Sequence, residues 1–112
     1  MAKLIGKNNL NCAVFISGRG SNLKSIIKYS KKKNSKINLR LVISSSHVAL
    51  GNNIAKKNNI ILKIISYSNF KRAETQLLNN LIKEDIKFIF LAGFMKILSK
   101  KIIIKYKNRI IN

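Results

Sequence analysis

The stretch Val14–Leu23, "VFISGRGSNL", carries a short apolar run into a Gly-x-Gly turn and on to apolar residues at helical spacing. A short apolar run bounded by glycine suits a parallel strand covered on both faces, so Ala13–Ser17 reads as a buried strand. Leu23, Ile26 and Ile27 then recur with the period of a helix, and Ser21 or Asn22 stands where its cap belongs. Strand, glycine turn and helix in that order set the pattern for the rest of the chain.

The pattern repeats. Leu39–Ser44 reads as a second strand, Ala49–Asn58 as a short helix with Leu50, Ile54 and Ala55 on its apolar side, and Ile60–Ile65 as a third strand. Asn69 caps a longer helix whose core face is Ala73, Leu77, Leu78, Leu81 and Ile82. Phe88–Leu91 is a fourth, fully apolar strand. Ser99 starts a helix carrying Ile102, Ile103 and Tyr106 inward, and Ile110–Asn112 opens a fifth strand. Strands alternating with helices at this spacing predict βαβ units with right-handed crossovers. The expected fold class is therefore α/β, a Rossmann-like parallel sheet with helices on both faces. With 112 residues the chain is expected to be one domain with one modest core. Its last residue, Asn112, falls in the opening of a strand with no capping helix after it, and the expectation is an incomplete domain.

The formal charge of +20 makes nucleic acid the first partner to weigh. The lysines, however, are spread over the whole chain, with Lys31–Lys33 the longest run, and travel with Ile and Asn as in "NNIAKKNNIILKII". An A- and T-rich genome produces that bias without selection for binding, so no specific nucleic-acid partner is expected. No apolar run approaches the roughly eighteen residues of a membrane span, so no membrane partner is expected. The N-terminal "MAKLIGKNNLN" has Lys3 and Lys7 but no apolar region and cleavage site of a signal peptide. The single Cys12, a small packing residue at a strand edge, fits a reducing compartment, and the expected location is cytoplasmic.

In open parallel sheets ligands sit beyond the carboxyl ends of the strands, where Gly18–Asn22 falls. Gly18 and Gly20 admit positive φ and close backbone approach. The free amides of the following helix start, near Gly20, Ser21 and Asn22, favour an anion, with the Ser21 hydroxyl and Asn22 amide as further donors. A dinucleotide fingerprint would need glycine where Leu23 stands and an acid where Ser44, Ser45, Ser46 and His47 follow the second strand. The Walker pattern fails too. A small phosphate monoester fits better than NAD or ATP. A second segment, Leu91–Ser99 ("LAGFMKILS"), sets Gly93 at the neighbouring strand end, with Phe94, Met95, Ile97 and Leu98 as an apolar wall suited to a flat ring.

Acid–base groups are few. Glu74, Glu84 and Asp85 are the only acids and fall in or just after the third helix; His47 is the only histidine. No carboxylate pair, triad or metal cluster can be assembled from them, so no metal is expected.

Taken together, "ISGRGSNL", "LAGFMKILS" and the terminal "NRIIN" resemble the phosphoribosylglycinamide formyltransferases of purine synthesis, from about Cys12 to Asn112. The resemblance covers roughly the N-terminal half of a family member. It implies that Gly20, Ser21 and Asn22 hold the phosphate of 5'-phosphoribosylglycinamide. It also implies that the segment containing Met95, Lys96, Ile97 and Leu98 lines the pocket for the co-substrate 10-formyltetrahydrofolate. Lys96 replaces the family's usual Arg and loses its planar fork. Arg72, or Lys71 beside it, matches a further folate-binding Arg. Asn112 matches the first residue of the family's N-x-H-P-S-L-L-P segment, whose Asn orients folate and stabilises the oxyanion. The general acid/base His of that segment and a later Asp fall beyond Asn112. The implied chain is thus inactive alone and completed by a C-terminal half, covalently or in trans. Two other readings stay open: a sister enzyme such as methionyl-tRNA formyltransferase or formyltetrahydrofolate hydrolase, and a non-catalytic phosphate- or nucleic-acid-binding fragment.

Overall fold

A computed structural model describes residues 9–112; the N-terminal stretch with Lys3 and Lys7, on which the signal-peptide reading largely rests, lies outside the described residues. The elements are β1 (Leu10–Ile16), α1 (Ser21–Ser30), β2 (Ile37–Ser44), α2 (Gly51–Lys57), β3 (Ile61–Ile64), α3 (Phe70–Lys83), β4 (Phe88–Leu91), α4 (Lys100–Lys105) and β5 (Ile110–Ile111). The strands form one sheet in the order β3-β2-β1-β4-β5, and every neighbouring pair is parallel.

The alternation of side chains along β1 divides the core. Ala13 and Phe15 pack with Leu41, Ile43 and the inward residues Ala73, Leu77, Leu81, Ile102 and Tyr106. Val14 and Ile16 pack on the other face with Val42, Leu23, Ile27 and Ala55. Thus α1 and α2 cover one face, and α3 and the α4 region cover the other. Phe15 and Leu81 are wholly buried, and each such side chain contributes about 1.5–3 kcal/mol. The connections leaving β1 and β4 depart to opposite faces, which opens a crevice between the carboxyl ends of these adjacent strands.

Several local expectations are corrected. β1 and β2 begin earlier than their apolar runs, because Leu10 pairs with Ile37 and Asn38 Nδ2 donates to Asn11 Oδ1 at 2.9 Å. The cap of α1 is Gly20 rather than Ser21 or Asn22, and no side chain caps this helix. Leu50, Ile82 and Ile103 are exposed. Leu50 precedes α2 as its N-cap. Ile82 and Ile103 each lie one residue, about 100° of helical turn, past a buried neighbour, Leu81 and Ile102, so they rotate off the narrow stripe that meets the sheet. Asn69 and Ser99 do cap α3 and α4, accepting from the amides of Arg72 and Ile102.

Two long-range ties fix the far end of the sheet. Arg40 is the extra residue of a bulge opposite Cys12–Ala13, and its Nη2 reaches the buried Glu84 carboxylate at 3.0 Å. The Tyr106 hydroxyl donates to the Ile86 carbonyl at 2.9 Å, holding the end of α4 beside the start of β4.

Candidate substrate cleft

Beyond the end of β1 the chain turns through Gly18–Arg19 into Gly20, whose φ of 81° is in the left-handed region. The close approach that Gly20 permits is to another glycine: a Cβ there would meet the Gly51 Cα at 2.7 Å. Gly51 in turn donates its N–H to the Gly18 carbonyl at 3.0 Å, so the start of α2 braces the turn from behind. With glycine at the N-cap, the first amides of α1 have no side-chain partner, and their partial positive charge is available to an anion. Sequence reading missed Gly51. An isolated glycine seven residues after a strand gave only a weak signal of close backbone approach.

The segment after β4 closes the other side. Gly18–Asn22 and Ala92, Gly93 and Met95 line a single cleft of about 380 Å³. Gly93 also has a positive φ, 74°, but nothing lies within 4 Å of where its Cβ would stand, so this glycine faces open space. An adjoining cleft of about 310 Å³ is lined by Asn22, Ala92, Ile111 and Asn112 among others, so Asn22 and Ala92 belong to both. The structure therefore brings Gly20, Ser21, Asn22, Met95 and Asn112 to one region at the strand ends.

Other named residues fall elsewhere. Lys96 and Ile97 are exposed but line neither cleft, and Leu98 packs with Phe94 against the core. Arg72 and Lys71 are exposed at the start of α3 and line neither cleft. That helix start is linked to the β4 segment through rings: Tyr67 lies 6.4 Å from Phe70, the first residue of α3, and 5.9 Å from Phe94. Met95 is 81% and Ile97 77% exposed. Large apolar side chains left to solvent beside an open glycine fit a flat, partly apolar ring system.

The electrostatics suit an anion. All three acids are in ion pairs away from the clefts: Glu84 with Arg40, Asp85 with Lys87 at 3.0 Å, and Glu74 with Lys101 at 4.0 Å. His47 is exposed in the loop after β2 and lines neither cleft. Burial pushes the Cys12 thiol up to about 11 and the Tyr67 hydroxyl up to about 12, so both stay protonated at neutral pH. Among the described residues no group of three or more His, Cys, Asp or Glu side chains could hold a metal ion. No helix among them is long and apolar enough to cross a membrane.

Comparison with known proteins bears on the same residues. The family described as "Formyl transferase" matches residues 10–112. The chain is 33% identical over 109 residues to the human trifunctional purine biosynthetic protein adenosine-3, covering 95% of this chain and 11% of that protein. It is 33% identical over 106 residues to the phosphoribosylglycinamide formyltransferase of Escherichia coli, covering 92% of this chain and 50% of that one. Among solved structures, the phosphoribosylglycinamide formyltransferase of Coxiella burnetii superposes with a TM-score of 0.82 at 34% identity, over 91% of this chain and 49% of that one. A formyltetrahydrofolate deformylase from Pseudomonas putida reaches 0.81 at 14% identity, over 91% of this chain and 37% of that one, and shares the fold. The chain thus spans half the length of the Escherichia coli relative and a smaller share of the human one.

Proposed function

We propose that this chain, which belongs to the formyl transferase family, is the substrate-holding part of a phosphoribosylglycinamide formyltransferase. The reaction would move a formyl group from 10-formyltetrahydrofolate to the amine of 5'-phosphoribosylglycinamide, in purine synthesis. One observation carries the reading: the uncapped start of α1 and the Ala92–Met95 segment open onto the same cleft. A phosphate monoester and a flat formyl donor can meet only if both holding segments share a space.

The residues divide the work. The amides at Gly20, Ser21 and Asn22, with the Ser21 hydroxyl, hold the phosphate and fix the far end of the substrate. Met95, with Ile97, Leu98 and Lys96 after it, would hold 10-formyltetrahydrofolate, which supplies the formyl group when bound. Arg72 or Lys71 would meet the donor's charged end from the start of α3. Asn112, which lines the adjoining cleft, would donate its amide to an oxygen gathering negative charge, a contribution worth about 2.7–4 kcal/mol in comparable sites. Among the described residues, no His, Asp or Glu lines the two clefts to take the proton that the amine must lose. We assign that role to a C-terminal half such as the part of the Escherichia coli relative that this chain does not match, joined or supplied in trans. The lone buried Cys12 supports a reducing, cytoplasmic setting.

The test joins this chain to the half of the Escherichia coli relative that it does not match, then follows formylglycinamide ribonucleotide from 10-formyltetrahydrofolate. Product that depends on 5'-phosphoribosylglycinamide is the expected result. Formate release that ignores this substrate would identify a hydrolase instead. Absence of both would leave a binding fragment.

A further inference from the structure

Residues 93–98 make a single hydrogen bond to the rest of the molecule among the described residues: the Met95 N–H donates to Ser17 Oγ at 2.9 Å, across 78 positions of sequence. Ser17 is the first residue past β1 and is half-buried. Its Oγ also lies 2.6 Å from Ser45 Oγ, on the loop that follows β2. Three strand-to-helix connections therefore meet at one hydroxyl. A backbone N–H can only donate, so Ser17 accepts from Met95 and keeps its own proton and a second lone pair for Ser45. The two serines satisfy each other in either sense.

We propose that Ser17 is a positioning residue, whose hydroxyl sets the separation of the two walls of the cleft. The inference rests on the function proposed above. The surrounding backbone is tied independently, by Ser45 N–H to the Ile16 carbonyl at 3.0 Å and by Ala92 N–H to the Phe15 carbonyl at 2.9 Å. Loss of the Ser17 hydroxyl also takes a partner from the Ser45 hydroxyl, but it leaves those backbone bonds in place, so the segment it frees is that of Met95. Phe94 stays anchored by its rings, so the freed part is Met95–Ile97, the exposed stretch that would meet the formyl donor. The phosphate-holding amides of α1 are braced by Gly51 and do not depend on the clasp.

Hydrogen exchange at the Met95 amide and titrations with ribose 5-phosphate and 10-formyltetrahydrofolate test this on the chain and on Ser17→Ala and Ser17→Thr. In Ser17→Ala, Met95 exchange quickens and the folate dissociation constant rises, each about tenfold, the equivalent of one hydrogen bond. Ribose 5-phosphate binding stays within about twofold, and Ser17→Thr, which keeps the hydroxyl, restores both changes. Unchanged Met95 exchange and folate binding in Ser17→Ala would overturn the proposal, as would equal loss of both ligands with a general fall in protection. Should Ser17→Ala not fold, Ser45→Ala keeps the Met95 bond but loosens the hydroxyl, and a smaller change in the same direction is expected; no change there also overturns the proposal. A wild-type chain that binds neither ligand defeats the function itself and the positioning role with it. Unchanged binding in Ser17→Ala, beside a wild type that binds both, defeats the clasp alone.

Discussion

The Gly51 Cα lies 2.7 Å from the point a Cβ would occupy on Gly20, and the Gly51 N–H is bonded to Gly18 beside it. Backbone meets backbone there, and neither side can rotate away. Gly20→Ala adds left-handed strain to this clash and should cost more than about 2 kcal/mol. Gly93→Ala carries the same sign of φ but meets open space, and should cost about 1 kcal/mol. Urea unfolding of the two variants measures the difference, and equal losses would show that the Gly20–Gly51 contact is slack.

A carboxylate placed at the start of α1 should have two opposite effects. Ser21→Glu complements the helix dipole and adds about 0.3–1 kcal/mol of stability. The same charge would occupy the proposed anion position and should weaken ribose 5-phosphate binding by about tenfold or more. Thermal melts and calorimetric titration of one protein read both. Unaltered phosphate binding would place the anion site elsewhere.

Cys12 gives a pH dependence. Its folded pKa of about 11 stands above the ordinary 9.0 because burial disfavours the thiolate. Between these values the unfolded chain has lost a proton that the folded chain keeps. Stability should therefore fall as pH rises from 9 toward 11. Tyr67 and Tyr106, both raised by burial, extend the loss above pH 10. Cys12→Ala should flatten the lower part of that decline in denaturant titrations. At pH 8 the native thiol should resist alkylation and react on unfolding.

The 112-residue chain alone should show no enzymatic formyl transfer. General acid–base catalysis is worth about 10²–10⁴-fold, and neither exposed His47 nor the three paired acids line the clefts. Robust turnover by the purified chain would redirect the search to His47.

Binding to random DNA should be weak and fade toward physiological salt, as expected of diffuse charge. Base stacking has little to use: Tyr106 is buried, Tyr67 is half-buried among other rings, and Tyr29 alone of the tyrosines is exposed. Sub-micromolar affinity for one sequence at that salt would contradict this.

The fold was largely legible because its signals are local. The apolar runs at Ala13–Ile16, Leu41–Ile43 and Phe88–Leu91 became strands, and Asn69 and Ser99 are caps as their side chains suggest. Errors gathered where a neighbour decides. Whether Ile82 or Ile103 is buried depends on the width of the stripe the sheet can cover, which helical spacing alone does not state. The candidate cleft was half legible as geometry. Gly20–Asn22 and Met95 stood out by motif, whereas Gly51 and Ser17 act through contacts 31 and 78 residues away in sequence. Serine beside a strand end is too common to signal a clasp.

All three carboxylates of this chain are committed to neighbouring cations. With a formal charge of +20, the surface attracts every polyanion and metabolite phosphate in its surroundings without preference. Discrimination must then come from directed contacts rather than from net charge. The amides at the start of α1 lie in a cleft also lined by Gly93 and Met95, and a small phosphate seated there would be held by directed hydrogen bonds rather than by diffuse charge. If α1 holds the phosphate as proposed, its binding should survive salt that erases the general attraction.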